Sequence, residues 1–440
     1  MHKLTISLMA CLLLLAFGSV VGQSSQKVFT QDIDNFWIAF DSIQTTKDEQ
    51  KQLRLINQYY IAEGTPGLKA FMKVRNYTDK RWVKLINRFP KFWKSIRPNT
   101  LVVKSKVTEI EKSLVKLKTL YPSLKEAKMY FTIGGLNSGG TIHNGKVLIG
   151  CEIATGTKET DVSEFKSNWL KSVFKNQSLE NIVILNIHEY VHTQQRGGRP
   201  KNLLARALKE GACDFITELV IGKPMRNNYI VYGTKHEQEL KKQFKKEMFG
   251  KAFYHWMFNG STARKIADLG YFMGYTICKS YYKQAKNKQA AIKAIIELNY
   301  SNSRAVEGFL AQSKYYQNPI DKQALMKEYK EKQPVLAGIA PFNNNDKQVS
   351  ISHKKLFIKF SQEMMTDSYS IYYSKKGKEA YPGVEKPQFT KDQKSLVLKI
   401  DLKPNKEYEF VISNRKFLSK EGFPLPKSYK IRFKTSTKPD

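Results

Sequence analysis

The amino-acid sequence predicts an α+β fold that is mainly helical through residue 332, contains one small β-sheet, and ends in an all-β sandwich. Three observations indicate this. Apolar residues recur at helical spacing across residues 30–120 and 229–332, residues 129–156 form a glycine-rich stretch that reads as two short strands, and beyond residue 345 the hydrophobic period becomes two. A chain of 440 residues is long enough for two or three domains.

Residues 1–22 have the features of a secretory signal peptide. A basic start is followed by an apolar run from Leu4 to Phe17, which is too short for a membrane span, and then by small residues up to Gly22. We therefore predict an extracytoplasmic protein, secreted, periplasmic or on the cell surface, with no transmembrane segment in the mature chain. Cys11 loosely suggests a lipoprotein, but six more apolar residues follow it, which favours ordinary export.

The composition limits the classes of protein that remain. Removing the leader leaves Cys151, Cys213 and Cys278, too few for a disulfide framework, and whether one pair forms stays open. The net charge is +35, from 74 Lys+Arg against 39 Asp+Glu, with the lysines scattered along the chain. Export argues against nucleic acid as a partner. The charge indicates either a solvated basic surface or attraction to an acidic partner, such as an anionic cell envelope or an acidic substrate.

Helical periodicity defines an N-terminal region over residues 23–125, with stripes such as Phe36, Trp37, Phe40 and Ile43. The sequence leaves open whether this region is a separate domain, a lid or a prosegment. Near the other end, residues 333–345 are rich in Pro, Gly and Asn and are predicted to be a linker. Alternating patterns with turn signals between them then predict a β-sandwich over residues 346–440.

The stretch ILNIHEYVHTQQ, residues 184–195, carries the strongest chemical signal. His188 and His192 are four residues apart, so a helix presents both imidazoles on one face. Glu189 lies one step round the helix, where it can face a metal-bound water without binding the metal. The competing interpretation is an amphipathic helix with two hydrogen-bonded histidines.

A second predicted helix, ALKEGACDFITEL at residues 207–219, supplies the remaining ligand. Glu210 lies 18 residues after His192, an interval at which a following antiparallel helix can return a carboxylate to the metal. Asp214 is four residues further on the same face and can accept a hydrogen bond from the far nitrogen of a ligating histidine. We therefore predict Zn²⁺ bound by His188, His192 and Glu210, with Asp214 behind them. Otherwise Glu210 is a surface carboxylate near a helix start.

Together, HEYVH and EGACD resemble the gluzincin metallopeptidases, and HEYVHTQQ, LKEGACDF and GYFMGY resemble predicted bacterial secreted zinc-dependent proteases. The resemblance implies a zincin-like metallopeptidase domain over residues 126–332, the same three zinc ligands, and Glu189 as the catalytic carboxylate. No GAMEN-type exopeptidase signature is present, which puts an aminopeptidase assignment in doubt. The C-terminal stretches LFIKFSQEMM, LVLKIDLKPNKEYEFVIS and KIRFKTS resemble bacterial Ig-like domains, which implies a spacer or binding module.

The expected activity is hydrolysis of a peptide bond in a peptide or protein substrate by a zinc-activated water, with Glu189 as general base. The oxyanion of the tetrahedral intermediate needs a donor. Tyr275 is the first candidate, Tyr271 the second and His255 the third, although each could equally be a packed side chain.

Gly139, Gly140 and Thr141 are predicted to lie at a sheet edge above the metal, where a substrate could pair as an extra strand. A plain hairpin turn is the alternative. Two further functions stay open. One is a catalytically inert extracellular binding protein on a peptidase-like scaffold with an Ig-like module. The other is a basic protein that binds acidic polymers.

Overall fold

The structure is a computed structural model that describes residues 26–175, 178–260 and 266–437. The predicted signal peptide, residues 1–22 with Cys11, lies outside the described residues. The fold is α+β, as predicted, with helices and a small sheet first and antiparallel sheets at the C-terminus. Within the described residues, none of the helices combines the length and the apolar character that crossing a membrane requires.

The N-terminal part begins with a short strand and continues as helices. Its elements are β1 (Val28–Phe29), α1 (Gln31–Gln44), α2 (Glu49–Ile56), a π-helical turn (Asn57–Ile61), α3 (Pro66–Arg75), α4 (Asp79–Arg88) and α5 (Pro90–Leu120). The helices begin where the sequence offers caps: the side chain of Asp48 accepts a hydrogen bond at the start of α2, and Thr65 does so at α3. One hydrophobic core runs through these helices and the region that follows, so residues 26–125 pack as part of the same unit.

The middle part contains the sheet and the helices that carry the histidines. Its elements are β2 (Lys128–Thr132), β3 (Gly140–His143), β4 (Lys146–Gly150), α6 (Cys151–Ala154), α7 (Asn168–Lys175), a 3₁₀ turn (Leu179–Asn181), α8 (Ile182–His192), α9 (Leu203–Ile221), α10 (Asn228–Lys235), α11 (Glu237–Glu247), α12 (Phe253–Trp256), α13 (Leu269–Gln284), α14 (Lys288–Ile296), α15 (Ser303–Gln312) and α16 (Lys322–Glu331).

The first sheet has the strand order β1-β2-β4-β3. Strands β1, β2 and β4 are parallel, whereas β3 runs antiparallel to β4 and forms the edge. The hairpin turn between β3 and β4 consists of Asn144 and Gly145, both with positive φ, which is the backbone that a tight two-residue turn requires. A glycine-rich segment thus supplies an edge strand as well as a turn.

The C-terminal part is formed by two antiparallel sheets around a second hydrophobic core. Its strands are β5 (Leu336–Ala340), β6 (Lys355–Phe360), β7 (Ile371–Tyr373), β8 (Gln388–Phe389), β9 (Ser395–Lys399), β10 (Glu407–Ile412) and β11 (Tyr429–Lys434), ordered β5-β6-β9-β8 and β11-β10-β7. The predicted linker at residues 333–345 needs correction, because β5 lies inside it and pairs with β6. The pairing of β5 with β6 shifts register between Leu336 and Gly338, which interrupts the alternation of apolar and polar residues by which a strand is recognised in a sequence.

The two cores meet at one loop of the C-terminal part. Phe423 is buried and belongs to the core of the helical part rather than to that of the sandwich. Its ring meets the imidazole of His255 edge-on, with ring centroids 5.1 Å apart. The His255 ring also bonds the Glu247 carboxylate at 2.8 Å and the Glu421 carbonyl at 2.6 Å. The sandwich is therefore docked on the helical part through this loop.

Candidate metal centre

The two histidines lie on α8, which is fixed by its own apolar residues. Ile187 and Val191 are buried in the main core, and Tyr190 uses its hydroxyl to accept from the Ala127 N–H at 2.8 Å, next to the start of β2. Residues four apart share a helix face, so the rings of His188 and His192 lie with centroids 4.9 Å apart. The helix is thereby held against the sheet with both imidazoles on the same side.

The carboxylate predicted to complete the site lies opposite these rings on α9. One Glu210 oxygen, Oε2, is 3.0 Å from His192 Nε2 and 3.8 Å from His188 Nε2. Zinc held tetrahedrally at about 2.0–2.1 Å requires ligand atoms about 3.3 Å apart, and these two separations bracket that value. All three side chains are about 90% buried. The structure thus brings together the predicted set His188, His192 and Glu210.

The far nitrogens of both imidazoles are engaged by other side chains. Asp214 Oδ1 lies 2.7 Å from His188 Nδ1, as the sequence predicted. Gln195 Oε1 lies 2.7 Å from His192 Nδ1, and the Gln195 amide donates in turn to the Lys209 carbonyl at 2.7 Å. An acceptor on Nδ1 keeps the proton there and leaves the Nε2 lone pair free for a metal.

The sequence did not identify the residues that extend the Asp214 contact. The Tyr229 hydroxyl donates to Asp214 Oδ2 at 3.0 Å and accepts from the Asn227 amide at 2.9 Å. Asp214 is only 1% exposed, and both of its carboxylate oxygens have hydrogen-bond partners. No fixed spacing links Tyr229 to HEYVH, so only its chemistry, a tyrosine shortly after a carboxylate-bearing helix, could have indicated it.

The electrostatics of the group match an ionised carboxylate among imidazoles. Burial alone would raise the pKa of Glu210, but the adjacent His192 and His188 outweigh it, and the pKa lies well below its ordinary value. For His188, burial would lower the pKa, yet the Asp214 carboxylate and its hydrogen bond raise the pKa well above the ordinary value. The pocket therefore favours positive charge opposite Glu210.

A buried thiol also lies beside the histidines. His188, His192 and Cys213 form a group whose possible ligand atoms all lie within 4.8 Å of one another, and this group could hold a metal ion. The Cys213 sulfur, however, is 3.3 Å from His192 Nδ1, the nitrogen that Gln195 already occupies. Burial and nearby carboxylates raise the pKa of the Cys213 thiol, which disfavours the thiolate that metals bind. The Cys213 sulfur thus faces Nδ1 of His192, whereas Glu210 Oε2 faces the Nε2 atoms of both imidazoles. Cys151, Cys213 and Cys278 are all unpaired.

Glu189 and the edge strand lie on the open side of the histidines. A Cβ placed on Gly140 would lie 3.6 Å from the Glu189 side chain, so the backbone of β3 passes directly beside this carboxylate. Gly139 and Gly140 hold this position, and Thr141 continues the edge strand, paired with β4 on one side. Within the described residues, no strand pairs with the other side of β3.

A cavity of about 260 Å³ opens next to Glu189 and His188. Its walls combine the apolar side chains of α6 and α8 with polar groups from the neighbouring elements. They are Ala154, Ser178, Asn181, Ile184, Leu185, His188, Glu189, Asp214, Asn227, Tyr229 and Tyr271.

The candidate oxyanion donors differ in their surroundings. The Tyr271 ring stacks on His188 at 6.3 Å between centroids, and its hydroxyl has no hydrogen bond within the described part of the chain. Tyr275, which the sequence ranked first, instead donates to Glu218 at 2.7 Å. His255 is engaged by Glu247 and the sandwich. Of the two tyrosines, Tyr271 therefore lies beside His188 and the cavity, whereas Tyr275 is held by Glu218.

Two close glycine contacts position α9 against α13. A Cβ on Gly274 would lie 1.8 Å from the Ala207 carbonyl oxygen, and one on Gly211 would lie 2.1 Å from the Tyr275 nitrogen. Only glycine allows two helix backbones to approach this closely. The motifs EGACD and GYFMGY thus meet in space, which brings Tyr271 to the same site as Glu210 and Asp214.

Comparisons with known proteins add little to this geometry. No protein-family model matches the chain, and no curated protein matches it significantly. Among solved structures, CopC from Methylosinus trichosporium OB3b is similar at 20% identity over 24% of this chain and 94% of that one, with a TM-score of 0.18. The S-layer protein SbsC is similar at 13% identity over 64% of this chain and 43% of that one, also at 0.18. Likenesses with TM-scores this low carry no conclusion.

Proposed function

We propose that this chain is a zinc-dependent metallopeptidase, with a zincin-like catalytic part and an Ig-like C-terminal module. The observation that carries the proposal is the convergence of two Nε2 atoms on one buried carboxylate oxygen, Oε2 of Glu210. Asp214 and Gln195 hold the far nitrogens, and what distinguishes the site from two merely hydrogen-bonded histidines is that both near nitrogens face the same oxygen. The donor set of two imidazoles and one carboxylate fits a catalytic zinc ion that keeps an open position.

The roles of the other residues follow from their positions. His188, His192 and Glu210 would hold the metal, which when bound supplies polarisation of a carbonyl and acidification of a water molecule. Glu189, half-buried at the cavity, would take the proton from the attacking water and deliver it to the leaving amine. The free edge of β3 would pair with an extended substrate backbone beside that carboxylate.

Tyr271 would supply the hydrogen bond to the developing oxyanion. Burial and the charge of Glu210 raise the pKa of the Tyr271 phenol well above its ordinary value, so the hydroxyl keeps its proton and can donate. Tyr275 would instead fix α13 through Glu218 and Lys279.

Extracytoplasmic localisation remains a prediction from residues 1–22. An acidic cell-envelope surface remains a proposed second partner for the chain's net charge of +35.

The decisive experiment combines zinc analysis with a peptide library. We expect about one zinc per wild-type chain and its loss in His192→Ala. We expect Glu189→Gln to retain zinc while cleaving at least about 100-fold more slowly. Glu180→Gln removes an exposed carboxylate near the start of the same helix and serves as the matched control, with zinc and activity both unchanged. Undiminished cleavage by Glu189→Gln would refute the mechanism. Bound zinc without cleavage of any peptide would favour the inert binding protein.

A further inference from the structure

Arg206 lies one helical turn before Glu210 on α9, and its guanidinium has unmet hydrogen-bonding capacity. One terminal nitrogen is 3.6 Å from Glu210 Oε1, which is an ion pair but too long for a hydrogen bond. Its Nε is buried without a partner, and within the described residues no side-chain hydrogen bond of Arg206 occurs. A buried donor left unpaired is costly, so such a group in a native fold calls for an explanation.

Phe258 covers the guanidinium at 5.7 Å from the ring centroid, and its own conformation is unusual. It is 62% exposed and has a φ of +58°, in the left-handed region that a bulky residue rarely adopts. The Asp268 side chain accepts a hydrogen bond from the Phe258 N–H at 2.5 Å, and Asp268 itself has a φ of +62°. Local strain of this kind persists where surrounding contacts impose it, and it clusters at binding sites.

These two residues are connected to the candidate metal centre by direct contacts. The Phe258 ring lies 6.4 Å from that of Tyr271, which in turn stacks on His188 at 6.3 Å. An exposed aromatic ring and a partly buried cation thus border the group His188, His192 and Glu210. A planar guanidinium held against an aromatic face and lacking hydrogen bonds is suited to bidentate recognition of a carboxylate.

We propose that Arg206 and Phe258 form a subsite for a carboxylate group of the peptide substrate. The carboxylate is either an Asp or Glu side chain close to the scissile bond or the C-terminal carboxylate. This inference rests on the proposed peptidase function. The Arg206 side chain is partly exposed, so the incoming carboxylate would accept hydrogen bonds from its terminal nitrogens, and the peptide would pack on the exposed Phe258 ring. A net charge of +35 would attract acidic peptides to the molecule.

The competing explanation is that Arg206 only neutralises Glu210. In that case its removal would weaken zinc binding and slow the cleavage of all peptides equally. The ratio of the binding affinities, or of the kcat/KM values, of two peptides that differ only in a carboxylate does not change when all peptides are affected equally. The test therefore compares matched peptides and includes a binding measurement that needs no turnover.

The binding test uses the full-length, zinc-loaded Glu189→Gln protein, in which hydrolysis is suppressed, and isothermal titration with acetylated hexapeptides. The two peptides of the first pair differ only at the C-terminus, which is free in one and amidated in the other. A second, amidated pair carries Glu or Gln at an inner position. In one of the two pairs, we expect the peptide with the carboxylate to bind at least roughly tenfold more tightly than its neutral partner. The pair that shows this preference identifies whether the subsite binds a side-chain or a C-terminal carboxylate.

Adding Arg206→Gln should bring the ratio of the two affinities in that pair close to one. Arg206→Lys in its place should keep only part of the preference for the carboxylate peptide. Arg304→Gln removes an exposed arginine from α15 and is the control for net charge, with the ratio unchanged. Phe258→Ala should lower the ratio as well, and because the ring is exposed this variant tests the subsite even if Arg206→Gln does not fold.

Equal binding within both pairs, or a preference that survives Arg206→Gln, would overturn the inference. The kcat/KM values of the wild type for the same pairs provide a separate measurement. A carboxylate preference in binding without any cleavage would leave the subsite standing and would reject the proposed peptidase function.

Discussion

Replacing Gly274 by alanine should separate the two helices that form the candidate site. The added Cβ would lie 1.8 Å from the Ala207 carbonyl oxygen and 2.4 Å from its carbon. Cβ contacts below 3.0 Å essentially never occur, so the helices must move apart locally by at least about 1.2 Å. Because the opposing atoms belong to the backbone, no change of side-chain rotamer can relieve the clash.

The magnitude follows from two opposing terms. Overpacking of a filled interior costs about 1–3 kcal/mol, and rigid backbone contacts favour the upper end of that range. Alanine regains about 1 kcal/mol because it is a better helix former than glycine. We therefore expect Gly274→Ala to lower the free energy of unfolding by about 2 kcal/mol. Since α9 also carries Glu210, zinc affinity should fall by about tenfold or more.

The assay is urea unfolding of the metal-free protein, followed by competition for zinc with a chelator. Gly308→Ala is the matched control, because Gly308 also lies within a helix, α15, but a Cβ there would meet nothing within 4 Å. We expect this control to stabilise the protein by about 0.5–1 kcal/mol and to leave zinc affinity unchanged. A Gly274→Ala protein as stable as the wild type would refute the close-packing argument.

Three further predictions address the site and the docked sandwich. Asp214→Asn should lower zinc affinity about 10- to 100-fold in chelator competition, because the His188 ring loses a charged acceptor. Tyr271→Phe should lower kcat about 100-fold or more in a peptide-cleavage assay while zinc content stays constant, and equal kcat would exclude it as the oxyanion donor. Burial tends to lower the pKa of His255, but its hydrogen bond to Glu247 outweighs this, and the net pKa lies above 6.5. The stability that protonated His255 contributes is therefore complete below pH 6.5 and is lost as the pH rises through the folded-state pKa. In urea titrations at rising pH, the free energies of unfolding of the wild type and of His255→Gln should therefore converge.

Much of the site that the sequence predicted depends on local helical periodicity, although placing Glu210 against the histidines also relied on its 18-residue interval from His192 to a following antiparallel helix. His188 and His192 face one way because four residues nearly complete a turn, and Glu210 and Asp214 do so for the same reason. The fold class was predictable on similar grounds, since the change from helical to alternating periodicity near residue 345 depends on neighbours in the chain. Periodicity of this kind, unlike the pairing of α8 with α9, requires no knowledge of how separate segments meet.

What the sequence did not predict depends on contacts between distant segments. Tyr271 and Tyr275 are one turn apart on the same helix, and nothing local distinguishes them. The difference arises because Glu218 on α9 accepts the Tyr275 hydroxyl, whereas Tyr271 faces His188 on α8. β5 was missed for a related reason, since its strand character comes from pairing with β6 and not from its own short sequence.

The two candidate histidine ligands are supported by acceptors of different charge, and this asymmetry has a chemical consequence. His188 faces the carboxylate of Asp214, whereas His192 faces the neutral amide of Gln195. A carboxylate makes the opposite imidazole nitrogen a stronger electron donor than an amide does. The Tyr229 hydroxyl moderates this effect, because it donates to the other oxygen of Asp214 and draws charge away from His188. The basicity of His188 is thus set by Asp214 and moderated through it by Tyr229, which lies on α10, a helix that carries none of the recognised motifs.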